Sequence, residues 1–276
     1  MIVDLHCHSN ASDGVLNPEQ LLLRAQDQGV DMLAITDHDT IDGYLAVCDK
    51  VAESLALTLV AGVELSCVWG KHTIHIVGLN IDPTCQVLQV GLEHLGRSRH
   101  KRALLIGEKL AKYGFEGAYE YALELAAGAQ IGRPHFAQFL LDRGHVRTNK
   151  EAFKRYLGAG KPGDVKTTWP VMEKVIHWLV ASGGVAVLAH PLHYKMTATK
   201  LRALITDFKT AGGQAIEVIS GNQQPHRTDY LAGLAQQFNL LASVGSDFHR
   251  PGMAWNELGA AASLPSSCQP VWSSWQ

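Results

Sequence analysis

Short apolar runs, mostly β-branched, punctuate this chain, and nearly every one stops at a side chain able to bind a metal. The runs are Ile2–His8, Met32–Asp37, Thr58–Cys67, Thr73–Leu79, Val185–His190, Ala215–Ser220 and Leu241–Asp247. Runs without polar alternation suit strands of a parallel sheet buried on both faces. Amphipathic stretches lie between several of them, over Pro18–Gln28, Thr40–Leu55, Pro170–Ser182, Lys200–Ala211 and Tyr230–Phe238. Asn17-Pro18-Glu19-Gln20 supplies a helix start, with an N-cap and Pro at the first helical position. Gly29 and Gly183-Gly184 supply helix stops. This alternation predicts an α/β fold of barrel type.

Charge divides the chain. Residues 98–169 carry 13 Lys/Arg against 7 Asp/Glu, whereas the remainder carries 11 against 19. The basic stretch also breaks the strand–helix alternation with helix patterns alone. It is therefore expected to be an inserted helical domain, with 1–97 and 170–276 forming the barrel. The total of 276 residues fits one barrel of about 250 residues carrying an insertion. No apolar run approaches the roughly 18 residues a membrane span needs. The start, Met1 to His6, lacks a basic segment and a long apolar stretch, so a cytoplasmic location is the default expectation. The 5 cysteines include no CxxC pair, which points to reduced thiols.

In parallel α/β folds the C-terminal strand ends converge on one face, where sites form. The runs place His6-Cys7-His8, Asp37-His38-Asp39, Glu64, His75, His190 and Asp247-Phe248-His249 there, with Asp13 just after the first. Residues i and i+2 of a strand point the same way. His6 and His8 can thus address one pocket, Cys7 should face away, and Asp247 and His249 pair similarly. Asp37 could instead cap the next helix. A buried Glu such as Glu64 is rare without a partner, which favours ligation. Mixed imidazole and carboxylate donors suit Zn²⁺, Fe²⁺ or Mn²⁺. The nine candidates exceed what one ion takes; two or three ions bridged by a carboxylate would use them all.

The ordered set His6-x-His8, Asp13-Gly14, Thr36-Asp37-His38-Asp39, Gly62-Val63-Glu64, His75-Ile76-Val77-Gly78, Ala189-His190-Pro191 and Gly245-Ser246-Asp247-x-His249 resembles the motifs of PHP-domain phosphoesterases. The resemblance covers the chain outside the insert. It implies a distorted (β/α)7 barrel holding three divalent ions, with Mn²⁺ the first expectation and Fe or Zn²⁺ the others. Carried over motif by motif, one ion takes His6, His8, Glu64 and Asp247. A second takes Asp13, His38 and His249, and a third takes Glu64, His75 and His190, with Glu64 bridging. A hydroxide bridging two ions would attack phosphorus in line.

The insert's position, and the segments Gly132-Arg133-Pro134-His135-Phe136-Ala137 and Phe153-Lys154-x-Tyr156-Leu157-x-x-Gly160-Lys161-Pro162-Gly163, resemble a narrower subgroup. It comprises 3′,5′-nucleoside bisphosphate phosphatases and 5′-to-3′ exoribonucleases of the ribonuclease AM type. The resemblance implies that Arg133 and His135 hold a 5′-phosphate while the neighbouring 3′-phosphoester is cut, in a mononucleotide bisphosphate or a 5′-phosphorylated RNA. The subgroup commonly has Gly-Arg-Tyr after Ala-His-Pro, where this chain has Leu192-His193-Tyr194. His193 would then hold phosphate more weakly than arginine. The charge pattern points the same way, since a basic segment suits anions and an arginine can grip phosphate bidentately. Most of the set Arg99, Lys101, Arg102, Arg143, Arg147, Lys150, Lys154 and Arg155 is expected on a solvated helix face. The rival readings are a small-molecule phosphatase, such as one acting on histidinol phosphate, and a non-catalytic nucleic-acid-binding module. Neither a membrane nor an obligate protein partner is expected.

Overall fold

The computed structural model describes residues 1–49, 56–166 and 169–275. The chain forms two compact units, Met1–Leu92 with Trp169–Gln276, and Glu93–Thr168. The division falls within the helix Gln86–Ala111 (α3).

The first unit is built on a seven-stranded sheet in sequence order. Its strands are β1 Val3–Cys7, β2 Met32–Ile35, β3 Thr58–Trp69, β4 His72–Leu79, β5 Val185–Leu188, β6 Ala215–Ser220 and β7 Leu241–Gly245. The first and last strands nearly close a barrel through a parallel bridge of Cys7 with Phe248, supported by His8 N–H donating to the Phe248 carbonyl at 2.8 Å. One strand runs against the expected direction. β4 is antiparallel to both β3 and β5, and the remaining pairs are parallel. The two residues Gly70-Lys71 between β3 and β4 leave no room for a crossover, which needs a dozen or more residues.

Inward-facing side chains make a layered interior. Val3, Leu5, Ala34, Val60, Val77, Leu79, Val187, Ala189, Ala215 and Val271 form one buried apolar cluster. Trp272 and Trp275 of the C-terminal 3₁₀ turn Val271–Ser274 pack on it. The helix α1, Pro18–Asp27, covers the outside. Asn17 caps it reciprocally with Gln20, and Leu21, Leu22 and Ala25 are buried with Cys7, Leu33 and Ile35. Of the helix expected over 40–55, one turn forms, Asp42–Leu45 (α2); residues 50–55 lie outside the described residues. Three further helices, Met172–Ala181 (α7), Ala198–Thr210 (α8) and Pro225–Gln237 (α9), lie between the later strands.

The second unit is helical among its described residues. It contains the rest of α3, Ala118–Ala126 (α4), Arg133–Asp142 (α5) and Asn149–Ala152 (α6), which continues into a π turn at Phe153–Leu157. Ile106, Leu110, Ala122, Phe136 and Leu140 anchor its own core, with Tyr119 and Tyr121 packed against it. Arg99 is an exception within the basic set expected mostly on a solvated face, being 7% exposed.

Leu5 is wholly buried in the barrel interior. Leu5→Ala is expected to cost about 2–5 kcal/mol, measured by urea unfolding. A loss near zero would show that the interior collapses around the missing side chain.

Candidate metal centre

A bulge in β1 sets up the site. Asp4 pairs with Leu33 and Cys7 with Ile35, so Leu5 and His6 together face the single residue Ala34. An extra residue of this kind shifts which face the following side chains take. Leu5 thus belongs to the apolar interior, His6 and His8 continue it as the polar layer, and Cys7 points outward. The Cys7 thiol donates to the Ala34 carbonyl at 3.2 Å, in line with the expectation that it faces away.

Glu64 and His75 arrive by a different route from the one expected. Neither ends a strand. Glu64 lies midway along β3, opposite Val77, and His75 lies near the start of β4, opposite Ser66. Diagonal cross-strand neighbours share one face of a hairpin. Because β4 runs backwards, its beginning lies at the end of the barrel where the parallel strands finish.

Glu64 is the centre of the cluster. Its carboxylate is fully buried. His38 Nδ1 lies 2.8 Å away, His75 Nδ1 and His190 Nε2 both 2.9 Å, His8 Nε2 3.4 Å and His6 Nε2 3.5 Å. Asp247 is 3.4 Å from His8 and 3.7 Å from His6 and from His249. Asp13 is 3.2 Å from His249, 3.7 Å from His8 and 3.8 Å from His38. The nine side chains singled out in the sequence therefore meet. They make four overlapping groups whose ligand atoms lie within 4.8 Å of one another: His8, Asp13, His38, His249; His6, His8, Asp247; His6, Glu64, His190; and His38, Glu64, His75.

The donor set fits cations. His6 Nε2 and both nitrogens of His8 are buried without a hydrogen-bond partner among the described residues, and His38 Nδ1 and Glu64 Oε2, 2.8 Å apart, meet outside hydrogen-bond geometry. Orphaned buried polar atoms are costly, and converging imidazole and carboxylate atoms are what a divalent ion would satisfy. The electrostatics agree. Burial opposes charge on Glu64, yet His38, His75 and His6 hold it well below the usual carboxylate range. Burial likewise opposes charge on Asp13, but His249 and His38 keep it low. Burial and the neighbouring His249 push His8 down to about 3. Burial works against His249 too, but Asp13 and Asp247 outweigh it and raise it to about 10.

Behind the cluster stand polar residues that the strand-end pattern did not mark as supports. Asp37 does not cap α2, whose N-cap Ile41 makes no side-chain bond. Asp37 instead accepts from Ser9 N–H at 2.8 Å and from the hydroxyls of Ser9 and Ser12 at 2.6 Å, tying down the loop that leads to Asp13. Asp39 accepts from Ser66 N–H at 2.6 Å. Tyr194 donates to the Ala189 carbonyl at 2.8 Å and accepts from His75 N–H at 3.0 Å. Glu217, in β6, touches His6 and His190. Backbones at Asp39, His190 and Asp247 have φ of 56°, 28° and 55°, a region that residues with a Cβ seldom occupy and that marks functional sites.

His193 follows His190 in a 3₁₀ turn and stacks on its ring, with centroids 5.1 Å apart. Arg133 and His135 open α5 in the second unit. Arg133 Nη1 donates to the Leu157 carbonyl at 3.4 Å and lies over the Phe153 ring, while His135 Nδ1 accepts from Gly132 N–H at 3.0 Å.

A model of the PHP domain matches residues 4–165. The chain belongs to the PHP domain family. Among its PHP relatives, a Haemophilus influenzae protein named 5′-3′ exoribonuclease is 45% identical over 269 residues, 98% of this chain and 97% of that one. A Chromobacterium violaceum protein named 3′,5′-nucleoside bisphosphate phosphatase is 41% identical over 271 residues, 98% and 95% of the two chains. A solved structure from Chromobacterium violaceum, described as an amidohydrolase with bound sulfate and no metal, superposes with a TM-score of 0.92. It is 40% identical and the match covers 99% of this chain and 95% of that one.

Gly245 gives this PHP site its clearance. A Cβ there would lie 2.2 Å from His6 Cβ and 2.9 Å from His6 N. Gly245→Ala is expected to destabilise the metal-free protein by about 1–3 kcal/mol through overpacking. Unchanged urea unfolding would show that β1 and β7 can part at no cost.

Proposed function

We propose that the nine clustered side chains hold divalent ions, three per chain with Glu64 shared, Mn²⁺ being the expected occupant. We further propose that the chain hydrolyses the 3′-phosphoester beside a 5′-phosphorylated nucleoside. A free 3′-phosphate at that position makes it a 3′,5′-nucleoside bisphosphate phosphatase; an RNA chain makes it a 5′-to-3′ exoribonuclease. The observation that carries the reading is the buried Glu64 carboxylate with five imidazoles within 3.5 Å. Relatives bearing both activity names, each alignable over 98% of the chain, support the choice of substrate class.

Bound divalent ions supply Lewis acidity to the phosphoryl oxygens and lower the pKa of a water. The protein's own residues do the rest. Asp13, Glu64 and Asp247 supply negative charge in a buried site where attraction for a cation is strong. His8, neutral down to about 3, offers a lone pair at any physiological pH. We assign the basic inserted unit to substrate binding, with Arg133 gripping the 5′-phosphate through paired hydrogen bonds, His135 beside it and His193 contributing a weaker phosphate contact. Among the described residues no helix is long and apolar enough to cross a membrane.

Incubating the Mn²⁺-loaded protein with a short 5′-phosphorylated RNA tests the substrate. Stepwise release of 5′-mononucleotides is the expected outcome, alongside hydrolysis of adenosine 3′,5′-bisphosphate. Faster turnover of histidinol phosphate than of either would replace the nucleotide reading with a small-molecule phosphatase. RNA bound but never cleaved would replace it with a binding module. His38→Ala is expected to bring turnover to background with the fold intact by circular dichroism; parental rates in that variant would remove His38 from the site.

Metal loading has its own signature. His249, raised to about 10, carries a proton at neutral pH in the metal-free protein and must lose it to become a ligand. Adding Mn²⁺ at pH about 8 is therefore expected to release protons, followed by potentiometric titration. Loading without proton release would exclude His249 as a ligand.

A further inference from the structure

Glu217 is a buried carboxylate outside the nine. It is 2% exposed, and it lies in β6 one inward position beyond Ala215 of the apolar interior. Its oxygens lie 3.2 Å and 3.4 Å from His6 Nδ1. Oε2 also accepts the backbone N–H of His190 at 2.5 Å. That N–H belongs to a residue at φ 28°, so the bond holds a backbone conformation that is unfavourable by itself. The β6 register slips between Glu217 and Ile219, a bulge of the kind that re-aims a side chain beside a site.

A carboxylate offers acceptors alone. With Glu217 on Nδ1, a neutral His6 ring keeps its hydrogen on Nδ1 and turns its lone pair to Nε2, which faces Glu64 at 3.5 Å and Asp247 at 3.7 Å. His190 is aimed through its backbone, and its Nε2 lies 2.9 Å from Glu64. His8 receives no such help: neither of its nitrogens has a hydrogen-bond partner among the described residues.

We propose that Glu217 is a positioning residue of the metal centre, fixing the tautomer of His6 and the backbone of His190 so that both Nε2 atoms address the same ions. The inference rests on the metal reading above and adds a residue to it. Carboxylates behind metal-binding histidines orient the ring and raise its basicity. A glutamate that only filled space would alter unfolding and leave ion affinity untouched.

The test is Mn²⁺ titration of Glu217→Gln and Glu217→Asp, with free ion read by electron paramagnetic resonance and folding by thermal unfolding of the metal-free proteins. The amide can donate to Nδ1 as well as accept from it, so it no longer enforces the tautomer. Glu217→Gln is expected to weaken Mn²⁺ binding about ten- to a hundredfold while the metal-free unfolding midpoint stays close to that of the parent. Glu217→Asp, which keeps the acceptor, is expected to recover part of the loss and carries the same test should the amide variant not fold. Parental Mn²⁺ affinity in either folded variant overturns the inference. A parent protein that itself binds no Mn²⁺ overturns the metal reading instead.

Discussion

The structure depends on one buried anion. Glu64 is inaccessible to solvent, and a carboxylate placed there alone would be too costly to keep ionised. Five imidazoles from β1 and the residue after it, the segment after β2, β4 and the segment after β5 surround it. Their separation in sequence means that the barrel must be nearly closed before Glu64 is compensated. The protein side of the cluster is itself unequal: His249 is held protonated by Asp13 and Asp247 against burial, whereas His8 is held neutral by burial beside it. Protons thus occupy part of a site whose geometry calls for positive charge, and cations would displace them.

A second tier of carboxylates keeps the loops in place. Asp4 accepts from Ser246 N–H at 2.8 Å and Gly259 N–H at 3.0 Å, fastening β1 to the segment around Asp247. Asp37 fastens β2 to the loop before Asp13, Asp39 fastens it to β3, and Glu217 fastens β6 to His190. Each binds a backbone N–H from a different segment. Burial raises Asp4 and Asp37 above the ordinary carboxylate value, and the hydrogen bonds they accept work against that rise. Side chains of this kind let strained residues such as His190 and Asp247 persist where the ligands need them.

Much of this was legible in the residues. The alternation His6-Cys7-His8 states which side chains share a face, and Asn17-Pro18-Glu19-Gln20 states where a helix begins; both appear as written. The direction of β4 was not legible from its composition, because an apolar run reads the same in either direction. The short Gly70-Lys71 link was the available signal, since it excludes a crossover. The β1 bulge was invisible, because register depends on the partner strand. The role of Asp37 was not legible beside the alternative of a helix cap, since its partners Ser9 and Ser12 lie far back in the chain. Glu217 carries the same signal as Glu64, a Glu inside an apolar run that needs a partner. The burial of Arg99 is not legible, because helix periodicity reports which residues share a side and not what covers it.

The barrel interior explains why Glu217 differs in role from Glu64. Along β3, β4 and β1 the inward row starts apolar and turns polar toward the site: Val60 then Glu64, Leu79 and Val77 then His75, Leu5 then His6. In β6 the change comes early, since Glu217 follows Ala215 directly in the inward row, with the bulge just beyond it. A carboxylate at that depth meets the back of a histidine ring, at Nδ1, and not the Nε2 side where Glu64 and Asp247 gather. The layer in which a side chain sits therefore decides whether it can touch an ion or can only aim the residue that does.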